Sequence, residues 1–202
     1  MSRFTVRRTL LAVLAASAAC VSLPAFASKE KPVIGFSIDD LRVERWARDR
    51  DYFIAAAKGL GAEVSVQSAD GDSAKQVAQI ENLISKKVDV LVIVPKDQST
   101  LTNVLKEAKK AGIKVVSYDR LIKSPDVDVY ISFDNYRVGQ MQGAALMKAL
   151  PKGSIYVMSG DPGDNNAKLF KAGALSEIDP FVKKGDIKIL GEQAVKDWLP
   201  AN

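Results

Sequence analysis

Carboxylate, amide and guanidinium side chains crowd into a few short stretches of this 202-residue sequence: Asp39-Asp40 with Arg42 to Trp46, Asp70-Gly71-Asp72, Pro95-Lys96-Asp97, Asp119-Arg120, Asp134-Asn135 and Asp161 to Asn166. Brought to one place, such groups suit a neutral polyhydroxyl ligand. Each sugar hydroxyl both donates and accepts, so a carboxylate, an amide or a guanidinium fork satisfies it with a charge-assisted bond of about 1.5–3 kcal/mol. An aromatic ring then covers the apolar C–H face, a role for which Trp46 and Trp198, the two tryptophans, are the candidates. Other chemistry is excluded by the same residue types. There is no histidine, and the single cysteine, Cys20, falls near the N-terminus. That leaves no thiol nucleophile, disulfide, Cys/His metal site or histidine acid–base pair in the remainder. Acids such as Asp119 and Asp164 could serve a carboxylate-only enzyme, but no second feature of a catalytic site accompanies them. The expectation is a binding protein, not an enzyme, with no cofactor and no metal.

Each candidate has a plainer reading beside the functional one. Arg42 and Arg45 stand near Arg48 and Arg50, where all four could be solvated residues of a helix's first turns. Asp119 and Arg120 could pair with each other at a strand end. Trp46 and Trp198 could be packing residues. One of Asp164, Asn165 and Asn166 is expected to cap the helix that follows. Asp134 reads as the cap of a helix starting near Asn135 and is left out of the site. Gly139 and Gly143 read as points of close helix packing.

Hydrophobic periodicity supplies the elements that hold these residues. Val33 to Ile38, Ala62 to Ser68, Val88 to Val94, Ile113 to Tyr118 and Val127 to Phe133 are short Val- and Ile-rich runs, each followed by a helix-length segment or a turn. This βα repetition predicts an α/β fold whose first domain is a doubly wound, Rossmann-like parallel sheet. Function in such sheets gathers at the carboxyl ends of the strands, which is where the polar stretches fall. Ser73 and Gln76 have the form of a capping box ahead of Val77, Ile80, Leu83 and Ile84 on one helix face, a spacing repeated by Leu101, Val104, Leu105 and Ala108.

A helix from about Asn135 to Leu150 is expected to close a first sugar-binding domain over residues 28–150, with Pro151-Lys152-Gly153 as the border. Residues 151–202 restart the alternation with strands at Ser154 to Ser159 and Ile187 to Leu190 and a helix to about Val182 between them. Two strands leave a free edge and an uncovered face. Trp198 to Asn202 reads as the opening of a helix that is not completed. The second α/β domain is therefore expected to be incomplete, the protein truncated at its C-terminal end, and its ligand binding poor.

Residues 1–27 read as an export signal. Arg3, Arg7 and Arg8 give a positive start, Leu10 to Val21 an apolar core too short to span a bilayer, and Ala25-Phe26-Ala27 a small-x-small cleavage site. Arg7-Arg8 and Cys20 leave twin-arginine export and lipid anchoring as minor alternatives. Three of the 29 basic residues and none of the 24 acidic ones lie in this segment, so the remainder is close to neutral. No basic stripe with interleaved aromatics survives, and a nucleic-acid partner is not expected.

Taken in order, Ile38-Asp-Asp-Leu-Arg-Val-Glu-Arg-Trp46, Ser117-Tyr-Asp-Arg120, Tyr130-Ile-Ser-Phe-Asp-Asn135, Asp164-Asn-Asn-Ala-Lys-Leu-Phe170 and Asp197-Trp-Leu-Pro200 resemble the periplasmic pentose- and hexose-binding proteins of ABC importers, and among them the D-xylose binders. The resemblance covers essentially all of the sequence after residue 27, at matching spacing. It implies a type I periplasmic binding protein fold whose two domains close over a monosaccharide and present it to a membrane permease and its ATPase. It also implies that Arg45, Arg120, Asp164 and Asn166 hydrogen-bond the sugar and that Trp46 and Trp198 stack on it. An amide, a carboxylate and a lysine complete the family's site from later segments that have no counterpart here. D-xylose and a close epimer stay open, as does signalling through a chemoreceptor. LacI-type repressor cores share the architecture but carry a helix-turn-helix where this protein has its export signal.

Export should remove the first 27 residues. Mass spectrometry of the exported protein is expected to find Ser28 as the first residue, and a lipid-modified Cys20 at the terminus would overturn the cleavage reading.

Overall fold

The computed structural model describes residues 31–199, so the expected export signal at residues 1–27 lies outside the described residues, as do residues 28–30 and 200–202. Strands β1 (Val33–Ile38), β2 (Glu63–Ser68), β3 (Val90–Ile93), β4 (Lys114–Tyr118) and β5 (Val129–Ile131) pair in parallel in the order β2-β1-β3-β4-β5. Helices α1 (Glu44–Gly59), α2 (Ser73–Ser85) and α3 (Thr102–Lys110) connect the first four strands. Successive strand residues point to opposite faces. On one face Leu91, Ile93 and Val115 are buried with Ile80 and Leu83 of α2 and Val104 and Leu105 of α3. On the other, Phe36, Ile38, Val92 and Val94 pack around Trp46 and Phe53 of α1. Hydrophobic burial on both faces of β1 and β3 is why these strands read as nearly continuous apolar runs.

Winding reverses between β1 and β3. The loops leaving them diverge toward opposite faces and open a crevice at their carboxyl ends, where Asp39 and Asp40 follow β1 and Lys96 stands three residues beyond β3.

The expected capping box is not formed. Asp72 caps α2, its carboxylate accepting from the Ala74 and Lys75 N–H groups. Gln76 is instead fully buried and reaches across to the sheet, donating to the Val94 carbonyl and the Ser37 hydroxyl. An aspartate one residue earlier is the better cap because it accepts as an anion at a positive helix end.

After β5 come α4 (Asn135–Ala149), β6 (Gly153–Ser159), α5 (Asn165–Lys183) and β7 (Ile187–Ala194), with β6 and β7 forming a separate two-stranded parallel sheet. The sequence assigned α4 to the first domain. Its buried residue Met147 lies instead in a cluster with Ile178 of α5 and Ile187 of β7, with Leu150, Ile155 and Ala174 against it. The cause is a glycine seam. A Cβ on Gly139 would overlap the Phe170 backbone, and one on Gly173 the Tyr136 carbonyl, so the α4 and α5 backbones touch. The sheet's other face carries Tyr156, Met158 and Leu190, each more than half exposed.

Trp198 does not open a helix. Lys196–Trp198 form one 3-10 turn with left-handed backbone at Asp197 (φ 60°) and Trp198 (φ 57°), and Leu199 is extended. Pro200 disfavours helical geometry in the residue before it.

Gly139→Ala and Gly173→Ala should each destabilise the fold by about 1–3 kcal/mol through overpacking, although alanine is the better helix former by about 1 kcal/mol. Urea unfolding decides the sign, and a gain in stability would mean the seam separates without cost.

Candidate functional site

The turn after β4 brings the first two groups to the crevice. The Asp119 backbone is left-handed (φ 61°), a conformation aspartate tolerates better than most residues. Its N–H donates to the Ile131 carbonyl at 2.7 Å, and the Arg120 N–H donates to the Tyr118 carbonyl at 2.7 Å. The Ser117 hydroxyl donates to the Arg120 carbonyl at 2.6 Å. The reversal is thus fixed from both sides, and the Arg120 side chain, only 4% exposed, is directed along the strand ends.

Arg120 lies between two buried carboxylates. Its Nη1 donates to Asp39 Oδ2 at 2.6 Å and to the Pro95 carbonyl at 3.2 Å, while its Nε stands 3.2 Å from Asp164 Oδ2. Asp39 follows β1, and Asp164 precedes α5. Burial pushes both carboxyls above the usual carboxylate range, and the Arg120 guanidinium opposes that rise without cancelling it. The plainer reading, an Asp119–Arg120 pair, is not what forms. Asp119 Oδ1 accepts instead from Arg45 Nη2 at 2.8 Å.

Arg45 also meets Asp49 one helical turn on, at 3.3 Å, and its guanidinium sits 4.6 Å from the Trp46 ring centre, with that of Arg120 at 5.3 Å. Trp46 packs with Phe36 and Ile38 in the core and presents its ring to two cations. Its indole N–H is buried and makes no hydrogen bond among the described residues. Arg42, Arg48 and Arg50 pair with Asp40, Glu44 and Asp51, so for them the surface reading holds.

Asp164 is the helix cap and also faces the crevice. Its Oδ1 accepts from the Asn166 N–H at 2.9 Å and caps α5, while its Oδ2 faces Arg120 and accepts from Trp198 Nε1 at 3.1 Å. Asn166 donates through Nδ2 to the Asp119 carbonyl at 3.1 Å and accepts from Asn135 Nδ2 at 2.9 Å. The Trp198 ring lies on Gly160, where any Cβ would overlap it. Asp134 caps α4, accepting from the Arg137 N–H at 3.0 Å.

Arg45, Trp46, Arg120, Asp164, Asn166 and Trp198 all line one cavity of about 230 Å³. That is below the roughly 300–1,000 Å³ of drug-sized ligand sites and in keeping with a smaller molecule. Asp119, Asn135, Phe133 and Phe170 line it too; the sequence names Asp119 only as a possible acid or a partner of Arg120, and places none of the four in the binding site. Asp119 and Asn135 stood in the polar stretches at strand ends, and Phe170 follows Asn166 by four residues and so shares its helix face. Phe133 carried no comparable signal.

Such a cavity can bind and orient a hydroxylated molecule. The model of the family described as "Periplasmic binding protein domain" matches residues 34–202. A D-xylose-binding periplasmic protein of Escherichia coli strain K12 is 50% identical over 195 residues, 96% of this chain and 58% of that protein. Its namesake in Haemophilus influenzae is 52% identical over 166 residues, covering 82% and 50%. Among solved structures, an ABC transporter solute-binding protein of Clostridium phytofermentans with bound β-D-glucose superposes with a TM-score of 0.75 at 39% identity, covering 78% of this chain and 51% of that one. The chain spans about half the length of the curated relatives it matches.

Arg120→Ala should leave Asp39 and Asp164 buried without their cation, at a cost of about 3–5 kcal/mol in folding stability. Arg120→Lys keeps the charge but not the fork and should recover part of it. Denaturant unfolding of the three proteins tests this, and an Arg120→Ala variant as stable as its parent would show that the carboxylates do not depend on the guanidinium.

Proposed function

Because the protein belongs to the periplasmic binding protein domain family, whose members carry sugars without transforming them, we propose that it is the sugar-capturing part of an ABC importer's substrate-binding protein. It is exported to the periplasm, takes up a pentose, D-xylose before its epimers, and presents it to a permease and ATPase pair. Hinge closure of two lobes over the ligand is the working step.

The observation that carries this reading is the cavity's composition. Charged and amide groups from the first sheet's strand ends and from the start of α5 converge on it, together with both tryptophans. In the proposal Arg45, Arg120, Asp164 and Asn166 hydrogen-bond sugar hydroxyls, and Trp46 and Trp198 meet C–H faces. Closure is favoured by ligand because contacts come from both sides of the cleft, and only the closed form gains both sets. The half of the relatives' length outside these 202 residues would add further contacts, so binding by these residues alone should be weak.

Calorimetric titration tests the proposal in two forms: the protein itself, and the protein joined to the matching second half of the Escherichia coli relative. The joined form is expected to bind D-xylose near the micromolar range, about −8 kcal/mol, and the protein alone at least roughly a hundredfold more weakly, since its contacts must be ordered on binding. A joined form that takes up none of D-xylose, D-glucose and D-ribose would sink the carrier reading, and micromolar binding by the protein alone would sink the need for the second half.

A further inference from the structure

We infer that Lys96 is a positioning residue: from the first sheet's edge it fixes the turn that carries Trp198, so the indole takes its place in the cavity only when the two halves of the cleft are together. Lys96 itself does not line the cavity, and nothing in the sugar-contact reading uses it.

The root of Lys96 is rigid. Its backbone N–H donates to Gln76 Oε1 at 2.8 Å, and the buried Gln76 amide is tied in turn to the Val94 carbonyl at 2.9 Å and the Ser37 hydroxyl at 3.2 Å. The lysine therefore leaves from the point where the sheet's winding reverses. Its ammonium, 12% exposed, reaches across the cleft to two acids, Asp161 Oδ2 at 3.0 Å and Asp197 Oδ1 at 2.8 Å. Neither belongs to the first sheet: Asp161 follows β6, and Asp197 follows β7.

These two acids are locked to each other as well. Asp161 Oδ2 accepts from the Asp197 N–H at 2.6 Å, and its Oδ1 from the Gly163 N–H at 2.7 Å. Burial works against the Lys96 charge, but the hydrogen bonds to Asp197 and Asp161 outweigh it and hold the ammonium above the ordinary lysine value. Asp161 is held below the usual carboxylate range against its own burial by the Asp197 N–H and Lys96.

The turn so held is strained. Asp197 and Trp198 are consecutive left-handed residues, neither a glycine, and such a pair persists only where its surroundings over-determine it. Trp198 is gripped beyond the turn by Gly160 beneath its ring and by Asp164 at its Nε1. Take away the lysine and a buried carboxylate, Asp161, and a half-buried one, Asp197, face each other with their common cation gone. The turn then loses the contact that holds its backbone, and the ring loses its seat.

The consequence for sugar affinity rests on the carrier reading; the consequence for Trp198 does not. In the 202-residue chain with Trp46→Phe, Trp198 is the sole tryptophan. Lys96→Met is expected to red-shift its emission and roughly double its acrylamide quenching in the absence of sugar, and Lys96→Arg to restore both. Asp197→Asn carries the same expectation should Lys96→Met fail to fold. In the joined form with Trp46 intact, Lys96→Met should weaken D-xylose binding about tenfold, but less than about twofold once Trp198→Ala is present, because the two residues act through one group. Unchanged emission and quenching in Lys96→Met overturns the inference, and so does an equal loss of affinity with and without Trp198. If no parent form binds sugar, the carrier reading fails and the emission arm alone decides the role of Lys96.

Discussion

A guanidinium removed from water needs compensation on every side where hydration used to be, and Arg120 finds it in Asp39 on one flank, Asp164 on the other and the Pro95 carbonyl between. Removing either carboxylate would leave a buried charge whose desolvation is no longer offset. The two acids stand on different sides of the cleft, so the cation is fully compensated only when the sides meet. The remaining polar groups arrange themselves around that constraint. Asp119, with Arg120 committed elsewhere, is left to Arg45 and Asn166, and Trp46 collects the flanks of both arginines. Asp164 keeps one oxygen for its helix cap and gives the other to the cleft.

Two supports of different kinds hold this arrangement. On the first side the parallel sheet fixes strand ends through burial on both faces, and Gln76 spends its whole amide tying α2 to β1 and β3 at their reversal point. On the second, α4 and α5 lie backbone to backbone along glycines. The N-termini of both helices, where Asn135 and Asn166 stand, are then set by the main chain, with no long side chains in between. That precision suits amides, whose donor and acceptor are fixed by small rotations.

Much of this could be read in the sequence. Strand positions followed from short Val- and Ile-rich runs, and Asp119, Arg120, Asn135, Asp164 and Asn166 from the polar stretches fell into one cavity because parallel sheets send their carboxyl ends to one edge. The pairing within the cavity could not be read. Asp119 and Arg120 are neighbours in sequence, and neighbours invite pairing, but successive side chains diverge at a left-handed turn and each found a partner more than 40 residues away. Gln76 looked like half of a capping box because its spacing from Ser73 fits one. The stronger cap at Asp72 released it for burial. α4 carried the apolar spacing of any crossover helix, and only the packing of Gly139 and Gly143 against α5 decides which sheet it serves. The Trp198 turn has its cause in Lys96, roughly a hundred residues back, beyond the range of any local pattern.

No apolar cluster among the described residues spans the cleft: two belong to the first sheet and its helices, and one to α4, α5 and the second sheet. What joins the sides is polar, running through Arg120, Lys96, Asn166 and the Gln98 N–H to the Gly163 carbonyl. Exposing charged and amide surface lowers heat capacity, whereas exposing hydrocarbon raises it. Opening of this cleft therefore carries a heat-capacity change that is small or negative, opposite in sign to that of unfolding. Calorimetric data on the molecule would thus separate a movement between its halves from a loss of structure within them.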